Sequence, residues 1–280
     1  MEEILVGNMT KEEASVSLEW AKAEGWNPGL HDAEVFYETD RKGFFAARWN
    51  GEMVGSISIV SYPNGFKFGG LLIVRPDFRK KGIGKLLISH MLQYSADSNL
   101  GCDGVLQMAK KYESYGFIPA YENIRYVGRC APFRLKRQEI VPISSVPLPQ
   151  LTEYDARMFP SEREQFLRLW TGQPDSHGLA FCADGQIKGY GLVRRCYAGH
   201  RVGPLFADDE VIATDILSAL LSKFPGEEFI LDVPTPNRSA LDLALRFGMK
   251  EVFRTLRMYT RGAPDIEMDH VFGITSFELG

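Results

Sequence analysis

Arg79, Lys80 and Lys81 run directly into Gly82-Ile83-Gly84, and an apolar, helix-forming stretch follows at once. The chemistry this order serves is anion binding. The first turn of a helix leaves backbone N–H groups unpaired and carries partial positive charge. Glycine lets that backbone come close to a ligand, and Arg or Lys add charge-assisted hydrogen bonds. A strand, a basic loop, Gly-x-Gly and a helix together read as a diphosphate cradle. Two common phosphate loops do not fit. In the nucleotide-triphosphatase loop, Gly-Lys is followed by Ser or Thr, whereas Gly84-Lys85 is followed by Leu86; a dinucleotide fingerprint needs a third glycine where Leu87 stands.

The elements around the loop set its position. Thr10 followed by Glu13 is a capping-box pattern opening a first helix, stopped by Asn27-Pro28-Gly29. Asp32 to Tyr37 is expected as a second short helix. Residues 43–49, 53–62 and 66–74 alternate in the manner of strands, joined by Asn50-Gly51 and Pro63-Asn64-Gly65 turns, and form an antiparallel meander. The basic loop follows the third strand and opens a helix from about 82 to 98. A strand at 102–107, a short helix at 110–117 and a strand at 120–130 complete the first half. Residues 131–150, with Pro132, Pro142, Pro147 and Pro149, are expected as a linker. The second half, 151–280, repeats the layout: a helical stretch, a hairpin, a third strand, a long helix, a strand and a short helix. Tyr-Gly-Phe at 115–117 and Phe-Gly-Met at 247–249 end equivalent helices, which points to two diverged copies of one α/β unit.

Composition bounds the rest. The chain has 280 residues, 45% hydrophobic and 24% charged, enough for a large core without metal or disulfide support. Net charge is -4, which argues against a nucleic-acid partner. Cys102, Cys130, Cys182 and Cys196 are scattered without zinc spacing and suit free thiols in a reducing cytoplasm. No stretch has the apolar length of a membrane span, so a cytoplasmic monomer or homodimer is expected, with no membrane partner and no metal.

Val74-Arg75-Pro76-Asp77-Phe78-Arg79-Lys80-Lys81-Gly82-Ile83-Gly84 resembles the acetyl-coenzyme A loop of the GNAT superfamily of N-acetyltransferases, whose pattern is Arg/Gln-x-x-Gly-x-Gly/Ala after a strand. Element order over 1–130 fits the family, and the second half resembles a diverged copy. Gly25–Gly29, Leu231–Asn237 and Val271–Gly280 are similar to a bacterial tandem subfamily of acetyltransferases. The resemblance implies an α/β (α+β) fold of two tandem GNAT-like domains, each a mixed, largely antiparallel sheet flanked by helices. It implies that the backbone from Arg79 to Gly84, with Lys85, holds the coenzyme pyrophosphate. Leu72, Ile73 and Val74 would pair with the pantetheine arm and direct an N–H at the thioester carbonyl, stabilising an oxyanion. Tyr112, on the short helix before Gly-Phe, matches the family tyrosine that protonates the leaving thiolate.

A primary amine acceptor is mostly protonated at neutral pH, so a base or a water must take its proton. Many family members use a Glu on the third meander strand, and residues 66–74 hold no acid. Glu122 and Asp103, on neighbouring strands, are the substitutes, each with an alternative as an ordinary surface or turn carboxylate. The acceptor side is expected from Trp26, Asn27, Asp32 and Tyr37 in the first helical region and from Tyr121, Glu122 and Arg125 in the closing strand. Aromatic walls with a few acids suit a small cationic amine. Trp26 also fits plain core packing, and Asp32 a helix cap.

In the second half, Asp208, Asp209 and Glu210 stand where a diphosphate needs positive charge, and Ala244 stands where Tyr112 does. That copy is expected to bind no coenzyme and to cover the sheet and wall the acceptor pocket. The resulting expectation is transfer of an acetyl group from acetyl-CoA to a small amine by direct attack in a ternary complex. The alternatives are a non-catalytic acyl-CoA sensor and a transferase acting on protein amines, which would need an open groove.

Overall fold

The computed structural model of the chain describes residues 4–130 and 137–280. The first half runs β1 (Ile4–Asn8), α1 (Lys11–Ala23), α2 (Asp32–Thr39), β2 (Phe44–Trp49), β3 (Glu52–Ser61), β4 (Lys67–Val74), α3 (Ile83–Tyr94), β5 (Leu100–Val105), α4 (Ala109–Ser114) and β6 (Ile118–Arg129). The second runs β7 (Ile140–Pro142), α5 (Leu148–Asp155), α6 (Glu164–Gly172), β8 (Ser176–Ala183), β9 (Gln186–Arg195), β10 (His200–Ala207), α7 (Glu210–Leu221), β11 (Glu228–Pro234), α8 (Arg238–Arg246), β12 (Lys250–Tyr259) and β13 (Val271–Gly273). This is the mixed α/β architecture of two repeated units. Local chemistry explains several joints. Thr10 accepts from the Glu13 N–H while the Glu13 side chain accepts from the Thr10 N–H, closing the capping box of α1. Asn50 and Gly51 both take positive φ, as the tight β2–β3 turn requires.

All these strands join one sheet in the order β1-β2-β3-β4-β5-β12-β6-β11-β10-β9-β8-β7, with β13 against β10. The units exchange their last long strands. β12, from the second half, pairs antiparallel with β5 of the first. β6, from the first half, pairs antiparallel with β11 of the second. β6 and β12 also pair with each other. The boundary at residue 130 is therefore a boundary in sequence only.

The stretch expected as a linker needs correction. Pro132 and its neighbours at 131–136 lie outside the described residues, but 140–142 form β7 against β8 and α5 begins at Leu148. Proline is compatible with both. Pro142 sits on the outermost strand of the sheet, and Pro149 lies in the first turn of a helix, where a missing N–H is harmless.

The halves also meet through helices and buried charge. Phe36 of α2 stacks on Trp170 of α6 at 6.1 Å. Arg194 of β9 holds both oxygens of Asp32, and Arg125 of β6 holds both oxygens of Asp232 on β11. Burying two such pairs is tolerated because each forms a two-point hydrogen-bonded fork. Among the described residues, no helix is long and apolar enough to cross a membrane.

Candidate active site

β4 and β5 run parallel but pair only from Lys67↔Leu100 to Gly69↔Cys102. Beyond that point they separate. The cause lies in β4: its register with β3 slips between Ser56 and Ser58, and Leu71 takes φ 49. An extra residue in one strand bends it and increases its twist. The Ser56 hydroxyl donates to the Leu71 carbonyl at 2.8 Å and fixes the bulge. Past it, the Arg75 N–H donates to Val54 on β3. Strand alternation then turns the N–H groups of Val74 and Leu72 the other way, toward the gap left by β5.

A cleft of about 870 Å³ fills that gap. One wall is Leu71, Leu72, Ile73 and Val74 of β4, with Arg79 and Lys80 at its end; facing it are Asp103 and Val105 of β5 and Lys111 and Tyr112 of α4. The remaining wall is Trp26 and Arg125 together with Val252, Phe253, Thr255, Phe277 and Glu278 from the second half.

The basic loop leads out of the cleft into α3. Lys80 has φ 64 and Gly82 φ 86, both left-handed, and this double turn aims the chain into the helix. Gly82 is the N-cap of α3 and, lacking a side chain, supplies no cap. The N–H groups of Gly82, Ile83, Gly84 and Lys85 donate to nothing among the described residues. Space beside Gly84 is open, the nearest atom to a Cβ built there being Val74 Cγ2 at 3.9 Å. Arg79 donates to the Val74 carbonyl and to Glu24, Lys81 lies over the Phe78 ring, and Lys80 and Lys85 form no ion pair among the described residues. The result is a donor-rich, positively charged helix end beside a strand with unpaired N–H groups. The equivalent end of α7 differs: Asp209 caps it by accepting from the Ile212 N–H at 2.8 Å, and Asp208 takes bonds from Tyr154 and Arg157. An internal carboxylate already occupies the anion's place there.

Tyr112 lines the cleft with its ring edge-on to Phe117 and its hydroxyl bonded to no described residue. Burial, and secondarily the neighbouring Cys102 thiol, push its pKa well above the ordinary tyrosine value, so the hydroxyl keeps its proton across the neutral range. Cys102 also lines the cleft, with its pKa raised by burial, and is an inert neutral thiol there.

The two carboxylates named for base duty are both occupied. Asp103 lines the cleft, but Arg257 of β12 grips both its oxygens at 2.9 and 2.6 Å and Asn123 donates to it at 2.8 Å. With its side chain wholly buried in that fork, it acts as the counter-ion of Arg257. Glu122 does not reach the cleft and pairs with Arg254 at 2.6 Å. Of the acceptor candidates, Trp26 and Arg125 line the cleft and the others do not. Asp32 is buried against Arg194 and the Gly29 N–H. Asn27 exchanges two hydrogen bonds with Ala198, Tyr37 packs on Phe44, and Tyr121 sits by Arg257 on the β6–β12 ladder. Arg125 itself is saturated by Asp232 and the Trp26 carbonyl and lies 4.5 Å from the Phe277 ring centre, a wall and not a free cation. Sequence reasoning missed Phe253, Phe277 and Glu278. They come from the second half, and no local pattern ties them to a loop some 170 residues or more away.

Two family models match the chain: Acetyltransferase (GNAT) family over residues 12–122 and Acetyltransferase (GNAT) domain over residues 151–273. A holothin acyltransferase of Pseudoalteromonas sp. (strain SANK 73390) is 28% identical over 270 residues, covering 96% of this chain and 92% of that protein. An uncharacterized N-acetyltransferase of Bacillus subtilis, YitH, is 24% identical over 266 residues, covering 91% of each. In fold, an acetyltransferase-type crystal structure from Pyrococcus horikoshii superposes with TM-score 0.83 at 22% identity, over 100% of this chain and 97% of that one. A tandem GNAT protein from the clavulanic acid biosynthesis pathway superposes with TM-score 0.64 at 12% identity, over 92% and 98%. With both halves matched and the paired-unit fold shared end to end, the chain belongs to the GNAT superfamily of acyltransferases as a tandem-domain member.

Proposed function

We propose that this acyltransferase moves an acetyl group from acetyl-CoA to a small primary amine by direct attack, with both molecules held in the one cleft. The observation that carries the reading is the run of free N–H groups from Gly82 to Lys85 at the end of α3, opening beside the unpaired edge of β4. Those donors, with Lys80 and Lys85, fit a diphosphate. The gap between β4 and β5 fits a thin extended arm able to pair with the Leu72 and Val74 backbone. Bound there, acetyl-CoA supplies an acetyl group activated as a thioester.

The protein's own groups do the rest. The Leu72 and Val74 N–H groups face the cleft and can donate to a carbonyl oxygen, most effectively as negative charge develops on it. Tyr112 keeps a proton within the cleft, where a departing sulfur needs one. Trp26, Phe253 and Phe277 give the acceptor an aromatic, water-poor surround. The family relation supports acyl transfer in general; the acetyl group and the amine are our reading. Calorimetric titration of acetyl-CoA into the whole chain, followed by thiol release with a panel of primary amines, tests it. One site per chain and amine-dependent thiol release are expected. Absence of coenzyme binding would sink the proposal, and binding without turnover of any amine would turn it into the sensor reading.

A further inference from the structure

Three acidic residues line the cleft among the described residues: Glu24, Asp103 and Glu278. Glu24 is tied to Arg79 and Asp103 to Arg257. Among the described residues Glu278 alone of the three forms no ion pair, and its Oε2 is buried without a hydrogen-bond partner. The residue as a whole is 4% exposed. A buried polar oxygen left unbonded needs an explanation, because it carries the full penalty of desolvation.

Its placement is rigid. The Ser276 hydroxyl accepts from the N–H groups of Glu278 and Leu279 at 3.3 and 3.0 Å, and the Tyr62 hydroxyl donates to the Leu279 carbonyl at 2.7 Å. The Glu278 backbone presses against β4 at Gly70, where a Cβ would lie 2.4 Å from the Glu278 carbonyl oxygen, so no larger residue fits. Gly70 is two positions before Leu72, whose N–H faces the cleft. The second half thus sets the Glu278 backbone against β4 just before the stretch that bends away from β5.

We infer that Glu278 is the catalytic base, its carboxylate receiving a proton from a cationic primary amine acceptor. This rests on the acetyl-transfer reading above. The N–H bond of the alkylammonium breaks and its proton forms an O–H bond on Glu278. The freed lone pair forms the C–N bond to the acyl carbon as the C–S bond breaks. The nitrogen's second proton ends on the departing sulfur, directly or by exchange through the Tyr112 hydroxyl, and Glu278 returns its proton to solvent.

The charged groups facing Glu278 are Arg201 of β10, Asp32 of α2, Arg125 of β6 and Arg194 of β9. Two of these arginines are already matched by Asp32 and Asp232; Arg201 donates to the Trp26 and Asn27 carbonyls and leaves Nε and Nη1 unbonded. Burial raises the Glu278 pKa, with Arg201 the largest influence pulling it back. A carboxylate raised in this direction holds a proton more readily than an exposed glutamate does.

The test uses the whole chain, wild type beside Glu278→Gln and Glu278→Asp, with three readouts. Thiol release is followed with 2-phenylethylamine, protonated at pH 7, and with aniline, already neutral. Glu278→Gln is expected to lower kcat/KM about 10²–10⁴-fold for the first amine and to change the second by less than about threefold. The acidic limb of the kcat/KM profile should lie above the ordinary glutamate range in wild type and vanish in Glu278→Gln. Glu278→Asp should keep the limb at a reduced rate. Acetyl-CoA affinity should stay near wild type even where Tm falls because buried Arg201 loses the facing charge, which separates loss of the base from failure of the acetyl-transfer reading itself. Equal losses for both amines, an unchanged limb, or loss of coenzyme binding would overturn the assignment in favour of a structural counter-ion. Should wild type turn over neither amine, the ¹³C carboxyl signal of Glu278, identified by its absence from Glu278→Gln, decides. Titration above the ordinary range supports the base, and titration within it overturns the base.

Discussion

Gly84→Asp separates coenzyme binding from folding, because at this position the two should move in opposite directions. Gly84 is in the first turn of α3, its φ is not left-handed, and a Cβ there meets only Val74 Cγ2 at 3.9 Å. The helix end has no side-chain cap and four free N–H groups. A carboxylate in a first turn typically stabilises a helix by about 0.3–1 kcal/mol, and removing glycine from a helix adds about 0.5–1 kcal/mol. The folded protein should therefore gain up to about 2 kcal/mol. The same carboxylate would compete with a phosphate for those donors. A unit charge about 5 Å from one phosphate charge, at an effective dielectric of about 20, costs about 3 kcal/mol. That is a loss of about 10²-fold in affinity for acetyl-CoA, more if both phosphates are felt. Titration calorimetry reads the affinity and thermal unfolding the stability. Unchanged affinity would refute the cradle. A fall in Tm would refute the reading of α3 as a helix with an uncapped end.

Tyr112→Phe removes the cleft hydroxyl but keeps the ring against Phe117; kcat is expected to fall about 10²–10⁴-fold with acetyl-CoA affinity intact, as steady-state kinetics and calorimetry will show. Because the Tyr112 pKa is raised, its acid form should persist to alkaline pH, so wild-type kcat should show no falling limb within the ordinary tyrosine range. Asp103→Asn leaves Arg257 buried without its carboxylate and should lower unfolding stability by about 3–5 kcal/mol in a denaturant titration, a structural loss larger than a surface acid would give. A fragment of residues 1–130 should fail to fold cooperatively, since β5 loses β12 and β6 loses both its partners; a cooperative melt of that fragment would contradict the strand exchange.

The parts of this molecule legible in the sequence are those whose causes are local. The capping box at Thr10, the Asn50-Gly51 turn and the loop from Arg79 to Gly84 each depend on residues a few positions apart, and each forms where the residue types place it. The α/β layout and its repetition follow from hydrophobic period and turn residues. Other features have distant causes. Asp32 looks like a helix-start residue open to a ligand until Arg194, 162 positions away, is seen to hold it. Asp103 looks free until β12 brings Arg257 across the sheet. The proline-rich stretch reads as linker because proline weakens strands and helices in general, and only topology shows Pro142 at a sheet edge and Pro149 in a first helical turn.

Strand exchange also bears on why a second unit without a phosphate cradle is kept. Each half lacks one strand of its own sheet and receives it from the other, so neither can be lost without leaving a long unpaired edge. The exchange then fixes where the second half's side chains go. β12, seated against β5, delivers Val252, Phe253 and Thr255 to the cleft, and the segment after β13 adds Phe277 to its wall and lays Glu278 along Gly70. In the cleft so built, the donors suited to a diphosphate and a thioester come from the first half, while much of the facing wall comes from the second. On the proposed function, substitutions in β12 or in 274–280 can retune the acceptor while the helix end at Gly82–Lys85 and the bulge at Leu71 stay untouched. The degenerate copy is then the part of the molecule in which acceptor choice resides; of its acids at 208–210, Asp209 caps α7, Asp208 binds Tyr154 and Arg157, and Glu210 pairs with Arg246.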